Sequence, residues 1–275
     1  MTNYKSIIIV GGHEQACNIL DHLITLPYVK VVLCIIRKDD TGQDGIIFPS
    51  LLQRARKYDI PTLQPEKINA NAVLSIAYRI NPDLVLSLQN NMIFGGKWLE
   101  LLDNKLGIVN VHYAPLPKYG GYWPEMWAIW NAEKKFAVSM HYVEKGLDTG
   151  PIIHQRWFDI TELENRRSLY NKCTDHCFTM IIDNLGKILE GKVKAISQGE
   201  CERSYFPKSL PNDGFIDLSW DGDMQSRFIR AISFPGFPGP KIKIGTEIYT
   251  ILAEDLPFFE PVNLLKIKPN HWIKT

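Results

Sequence analysis

Ser6-Ile-Ile-Ile-Val10-Gly-Gly12, followed by a helical run from Glu14 to Thr25 and a second apolar run from Val29 to Ile36, decides the fold class. Neither apolar run alternates with polar residues, as expected of strands covered on both faces. The same succession continues outward: a helical pattern over Pro49 to Tyr58, a strand over Leu84 to Leu88, a helix over Lys97 to Leu102 and a strand over Ile108 to Val111. Such alternation specifies an α/β fold, an open, mostly parallel sheet wrapped by helices. Gly11-Gly12 can be read as a phosphate-binding turn or as a tight strand-to-helix turn. The incomplete G-x-G-x-x-G spacing favours the steric reading.

Trp123 to Ala132 places Trp123, Trp127 and Trp130 at helical spacing, predicting a helix buried on one side. Phe136 to Tyr142 and Ile152 to Phe158 read as strands flanking a loop at Asp148, and a long helix opens at Thr161 or Glu164 and runs to about Leu189. Thr161 and Glu164 stand at capping-box spacing. After about Gly199, prolines and glycines break the chain, and a hairpin is predicted from Lys241 to Ala253 around Gly245-Thr246. The expected organisation is a catalytic domain over 1–203 and a small, mostly β C-terminal appendage over 204–275. Phe234, Phe237, Phe258 and Phe259 give that tail apolar surface either for a homodimer contact or for covering its own domain.

The 275 residues are 45% hydrophobic and 22% charged with a net charge of +1, which excludes bulk electrostatic attraction to nucleic acid or to an anionic membrane. The five cysteines are scattered, without a C-x-x-C pair, so neither a disulfide framework nor a metal site is expected. No apolar run is long enough for a membrane span or a signal-peptide core, and a reduced, cytoplasmic location is expected.

Asn110-Val-His112-Tyr-Ala-Pro115-Leu-Pro117 carries the chemistry. Alternate strand residues face one way, so Asn110 and His112 project together, and the prolines end the strand beside His112. Open α/β sheets place their chemistry at such strand ends. Asp148-Thr-Gly150 adds a carboxylate on a turn. The triplet also matches aspartic proteases, but they need a second copy and the preceding α/β pattern is wrong for them. His13, His22, His141 and His176 read as structural or exposed. The aromatic turn Lys118-Tyr119-Gly-Gly-Tyr122-Trp123 suits a base or sugar with phosphates.

Asn110-x-His112, Leu116-Pro-Lys-Tyr119, Trp127-Ala-Ile-Trp-Asn131-x-Glu133-Lys and Leu147-Asp148-Thr-Gly-Pro-Ile-Ile153 together resemble the folate-dependent formyltransferase family. The resemblance is strongest over about 70–155, and Gly214-Phe-Ile-Asp217-Leu-Ser-Trp220 with Arg230-Ala231 resembles the family's post-catalytic region. It implies formyl transfer from 10-formyltetrahydrofolate to an amine. Asn110 and His112 would stabilise developing negative charge, and His112 with Asp148 would handle the proton. Backbone groups of Leu86, Ser87, Leu88, Gln89, Asn90 and Met92 would hold the pterin, with Val143 and Gly146 closing its other side.

The glycinamide ribonucleotide enzymes of the family have about the size of the first domain alone. Its methionyl-tRNA enzymes carry a longer C-terminal domain and a basic insertion where this chain has the acidic Asp39-Asp-Thr-Gly-Gln-Asp44-Gly45. The wording most resembles the nucleotide-sugar N-formyltransferases. The implied acceptor is a dTDP-linked 4-amino or 3-amino dideoxy sugar for bacterial surface polysaccharide. Gly120-Gly121 stands where that branch commonly has arginine-glycine, leaving Lys118, Tyr119, Tyr122, Trp123, Arg230 and Lys241 as candidate substrate contacts. Methionyl-tRNA formylation and a non-catalytic nucleotide-sugar sensor are the alternatives.

Overall fold

The computed structural model describes residues 4–45, 47–199, 202–251 and 272–274; Ala253, Phe258 and Phe259 lie outside the described residues. In chain order the elements are β1 (Lys5–Gly11), α1 (His13–Leu23), β2 (Val29–Ile36), α2 (Leu51–Lys57), β3 (Thr62–Leu63), α3 (Asn71–Ile80), β4 (Leu84–Leu88), α4 (Gly96–Leu102) and β5 (Ile108–His112). There follow β6 (Gly120–Gly121), α5 (Pro124–Trp130), β7 (Lys135–Tyr142), β8 (Ile152–Asp159), α6 (Arg166–Leu189) and β9 (Tyr205–Phe206). A 3-10 turn (Pro211–Gly214), α7 (Gly222–Ile232), β10 (Lys241–Ile244), β11 (Glu247–Ile251) and β12 (Trp272–Lys274) complete the list.

The chain forms two compact units, the first from Met1–His112, Val138–Arg156 and Thr174–Cys201, the second from Tyr113–Ala137, Trp157–Cys173 and Glu202–Thr275. The expected boundary at 203 thus falls where the chain last enters the second unit, which also takes up 113–137 and 157–173.

The main sheet has strand order β3-β2-β1-β4-β5-β7-β8. β2, β1, β4 and β5 pair in parallel and β7 returns antiparallel to β5. The order reverses between β1 and β4, and the carboxyl ends beside such a switch point are where ligands bind in open α/β sheets. Under the sheet, Ile8, Val10, Leu33, Ile35 and Val85 pack with Phe94, Trp98 and Leu102. Trp98 is fully buried and its indole N–H donates to Ile68 O at 3.1 Å, so its burial leaves no polar atom unsatisfied.

Gly11 sits at φ 141° against the Leu88 carbonyl, where a β-carbon would overlap that oxygen, and the Gly12 N–H donates to the same carbonyl at 3.1 Å. The steric reading of the glycine pair therefore holds, and the Gly12 amide already has a partner.

In the second unit, α5 is buried through Met126, Ala128 and Ile129, whereas Trp123, Trp127 and Trp130 are only half-buried. This corrects the expected face: the tryptophans cap the helix flank, Trp127 stacking on Phe206 at 4.6 Å and Trp130 meeting Trp220 and Phe228 at 5.2 and 5.3 Å. The long helix starts later than its pattern implied. Asn165 Oδ1 accepts from Ser168 N at 2.9 Å and Ser168 Oγ accepts from Asn165 N at 3.0 Å, a reciprocal cap immediately before Arg166. Helix α7, capped by Asp221 Oδ1 accepting from Met224 N at 2.7 Å, shows that the tail is not purely β. The hairpin forms as read, β10 and β11 turning at Gly245 with φ 62°, and β12 adds a third strand.

Candidate active site

Sheet register builds the first unit's polar cluster. Ser87 on β4 lies opposite Asn110 on β5, and Asn110 lies opposite His141 on β7, so three polar residues form one row across three strands. One pleat further along, His112 faces Ser139, whose hydroxyl accepts from Gln155 Nε2 at 2.8 Å. Residues two apart share a sheet face, so both rows lie on one side at the carboxyl end of β5.

His141 is 2% exposed. Burial lowers its pKa, Asp148 opposing the shift, so the ring is neutral near pH 7. Its Nδ1 lies 2.8 Å from the Tyr142 carbonyl, which can only accept, and the ring proton therefore sits on Nδ1. That leaves Nε2 as an acceptor for the Asn110 amide nitrogen at 3.0 Å. The imidazole thus fixes which end of the carboxamide is nitrogen, and Asn110 keeps a second N–H for an oxygen ligand. His141, read from sequence as structural or exposed, is buried and holds the Asn110 carboxamide. Its signal was its antiparallel register with Asn110, which the one-dimensional pattern does not carry.

Asp148 lies between the two imidazoles, Oδ2 at 3.9 Å from His112 Nδ1 and Oδ1 at 3.7 Å from His141 Nε2. Both separations are longer than direct hydrogen bonds, and since the His141 ring is neutral, His112 when protonated is the imidazole that can form an ion pair with Asp148. The side chains of His112 and Asp148 are 11% and 10% exposed, a setting that strengthens charge interactions while leaving access. Asp148 adopts φ 52°, the left-handed region. Two residues on, a β-carbon at Gly150 would overlap the Tyr142 carbonyl, so only glycine permits this close return to β7. Gln198, absent from the sequence reading, donates from Nε2 to the Asp148 and Gly150 carbonyls at 2.9 and 2.7 Å.

The loop after β4 is held from within. Asn90 Nδ2 donates to Met92 O at 2.7 Å and to Ser87 Oγ at 3.3 Å, while Asn90 Oδ1 accepts from Met92 N at 2.9 Å. Gln89 takes φ 50° and its carbonyl accepts from Arg37 Nη1 at 3.1 Å. Leu86 and Leu88 are buried, and Met92 and Val143 both pack on the core cluster beneath the sheet; Gly146 is exposed. Each of the two sequence segments assigned to the pterin thus has a residue resting on the same core cluster. Among the described residues, no group of three or more His, Cys, Asp or Glu side chains is arranged to hold a metal ion.

The remaining candidates belong to the second unit. Tyr119 is 6% exposed, its hydroxyl donates to Glu133 Oε1 at 2.5 Å and accepts from Asn131 Nδ2 at 3.0 Å, and its ring stacks on Phe206. Burial and the Glu133 carboxylate raise its pKa. Its side chain therefore packs within the second unit instead of lining an open surface. Trp123 precedes α5 at φ 53° under the Arg166 guanidinium, 5.2 Å from the ring. Lys118 pairs with Glu202 at 3.2 Å, and Arg230 Nη1 donates to Glu164 O at 2.5 Å. Lys241 lies over Phe215 at 5.5 Å, and Tyr122 is exposed.

A family model described as formyl transferase matches residues 5–185. The chain belongs to this family. Its relatives within the family differ in substrate. The bifunctional polymyxin resistance protein ArnA of Wigglesworthia glossinidia brevipalpis is 32% identical over 85% of this chain, which spans only 35% of that protein. A methionyl-tRNA formyltransferase of Thermotoga maritima is 28% identical over 98% of this chain and 86% of its own. The GDP-perosamine N-formyltransferase of Brucella melitensis is 29% identical over 68% of this chain and 71% of its own. Among solved structures, an N-formyltransferase from Helicobacter canadensis in complex with folinic acid and dTDP-3-aminofucose shares the fold. Its TM-score is 0.68 at 23% identity, with 90% of this chain and 88% of that one covered. No helix among the described residues is long and apolar enough to cross a membrane.

Proposed function

We propose that this formyl transferase moves a formyl group from 10-formyltetrahydrofolate to the amine of a nucleotide-linked amino dideoxy sugar, with dTDP-4-amino-4,6-dideoxyglucose or a 3-amino isomer as the leading acceptor. O-antigen synthesis in the cytoplasm by a homodimer is the setting we propose. The observation that carries the reaction class is the cluster of Asn110, His112, His141 and Asp148 at the end of β5 and β7.

When bound, the donor supplies an activated formyl carbon and a nitrogen leaving group. The residues around it fit that task. The loop of Leu86 to Met92 offers a preformed rim, and Met92 with Val143 a floor for a flat heterocycle. Asn110, its nitrogen end set by His141, presents an N–H to an oxygen that gains negative charge. Net transfer takes one proton from the acceptor amine and delivers one to the donor nitrogen. His112 carries that proton, and Asp148 stabilises the imidazolium form from 3.9 Å.

The sugar is favoured by charge. Asp39, exposed, accepts from Arg37 Nε at 2.9 Å, and Asp40, half-buried, accepts from Ser50 Oγ at 2.5 Å and Gly42 N at 2.9 Å. Arg37 lowers the Asp39 pKa and is itself paired by that carboxylate, so the segment brings no excess positive charge to an RNA backbone. Methionyl-tRNA formylation is the second reading, favoured by the near full-length alignment with such an enzyme. Mass-spectrometric turnover with dTDP-, UDP- and GDP-linked amino sugars, beside charged initiator tRNA, tests both; gain of one formyl group on tRNA alone overturns the first.

A further inference from the structure

We infer that Gln198 is a positioning residue for the Asp148 carboxylate, a role that rests on the reading of Asp148 as the partner of the proton-carrying His112. Gln198 lies beyond residue 185, where the family match ends. Its segment is brought back to the sheet by the pair Ile152 and Ile196, whose backbones exchange hydrogen bonds of 2.7 and 2.9 Å. Two residues on, both N–H groups of the Gln198 carboxamide are spent on carbonyls 48 and 50 positions earlier in the chain, those of Gly150 and Asp148. Carbonyls only accept, so the carboxamide nitrogen must face them.

The bonds fall where the loop has most need of restraint. Asp148 occupies left-handed space at φ 52°, which a non-glycine residue adopts only when its surroundings fix it. At the loop's far end, Tyr142 N donates to Pro151 O at 3.0 Å and Gly150 packs beneath the Tyr142 carbonyl. Gln198 joins that anchored end to the peptide of Asp148 itself. The carboxylate then sits between His112 and His141 at 3.9 and 3.7 Å instead of swinging with a free turn. Positioning of this kind acts on kcat through Asp148, while the acceptor KM is set by groups outside this loop.

The test uses the full chain with Gln198→Leu and the isosteric Gln198→Glu, which replaces the donors by a carboxylate facing two carbonyls. We expect kcat to fall about 10- to 100-fold with the acceptor KM held within about twofold. In an Asp148→Asn background, Gln198→Leu should add less than about twofold, because it acts through a group already removed. Hydrogen–deuterium exchange of peptides over 144–151 should rise in both variants while the rest of the first unit is unchanged. Full multiplicative losses in the Asp148→Asn background, or unchanged exchange over 144–151, overturn the proposal. Should the parent protein formylate no acceptor, the functional reading fails, and the exchange measurement still decides whether Gln198 holds the loop.

Discussion

The strand-end cluster of the first unit and the aromatic turn of the second lie a few residues apart in sequence, yet their polar groups are used in opposite ways. Asn110, His112 and Asp148 keep partly accessible side chains, and His141, which holds the Asn110 amide, is itself buried. Tyr119, equally suited to a ligand by type, spends its hydroxyl on Glu133 and Asn131 and its ring on Phe206. The backbone there is committed as well, Gly120 N donating to Ser204 O and Tyr122 N to Phe206 O, both at 2.9 Å. A polar or aromatic side chain becomes a candidate for chemistry when the fold holds it in place and leaves it partly accessible, and this is decided by partners far along the chain.

Substitutions should separate the two regions, and the largest effect should come from His112→Ala, with kcat lowered about 10²- to 10⁴-fold and little change in the melting temperature. Next, Asn110→Ala removes the N–H proposed to meet developing charge and should lower kcat about 10²- to 10³-fold in single-turnover assays. His141→Phe keeps the ring volume but releases the Asn110 amide. It should reduce kcat roughly 10-fold while the folate KM moves little, and an unchanged kcat would remove His141 from the site. In the second unit, Tyr119→Phe should cost about 1–2 kcal/mol in denaturant unfolding and leave kcat/KM near the parent value, since it strands the Glu133 carboxylate without touching the cluster. A large kcat loss there would erase the contrast.

The smallest effect is a pH slope. The folded-state pKa of His141 lies below its ordinary 6.5, so the unfolded chain binds the proton more readily. Its contribution to stability is therefore present above pH 6.5 and is lost as pH falls towards the folded value. Unfolding free energy should decline below that pH in the parent and less steeply in His141→Phe.

How far the sequence carried this account follows from the same contrast. Strands β1, β2 and β4 were legible because apolar runs covered on both faces have no other soluble use, and Asn110 with His112 because a strand alternates strictly. Helix α3 went unread: its cap residue Ala70 makes no side-chain hydrogen bond, and its buried face is only Val73, Leu74 and Ala77. His141 and Gln198 were illegible for another reason. Their roles depend on register with β5 and on a return of the chain 50 residues after Asp148, neither of which leaves a local pattern.

The central claim is transfer of a formyl group to a nucleotide-linked amino sugar. The most direct measurement is mass-spectrometric turnover of the purified protein with 10-formyltetrahydrofolate and the amino-sugar panel, run beside His112→Ala and initiator tRNA. The account predicts one added formyl group on a dTDP-linked amino sugar, abolished by His112→Ala. Formylation of tRNA with every sugar unchanged, or sugar turnover that survives His112→Ala, would contradict it.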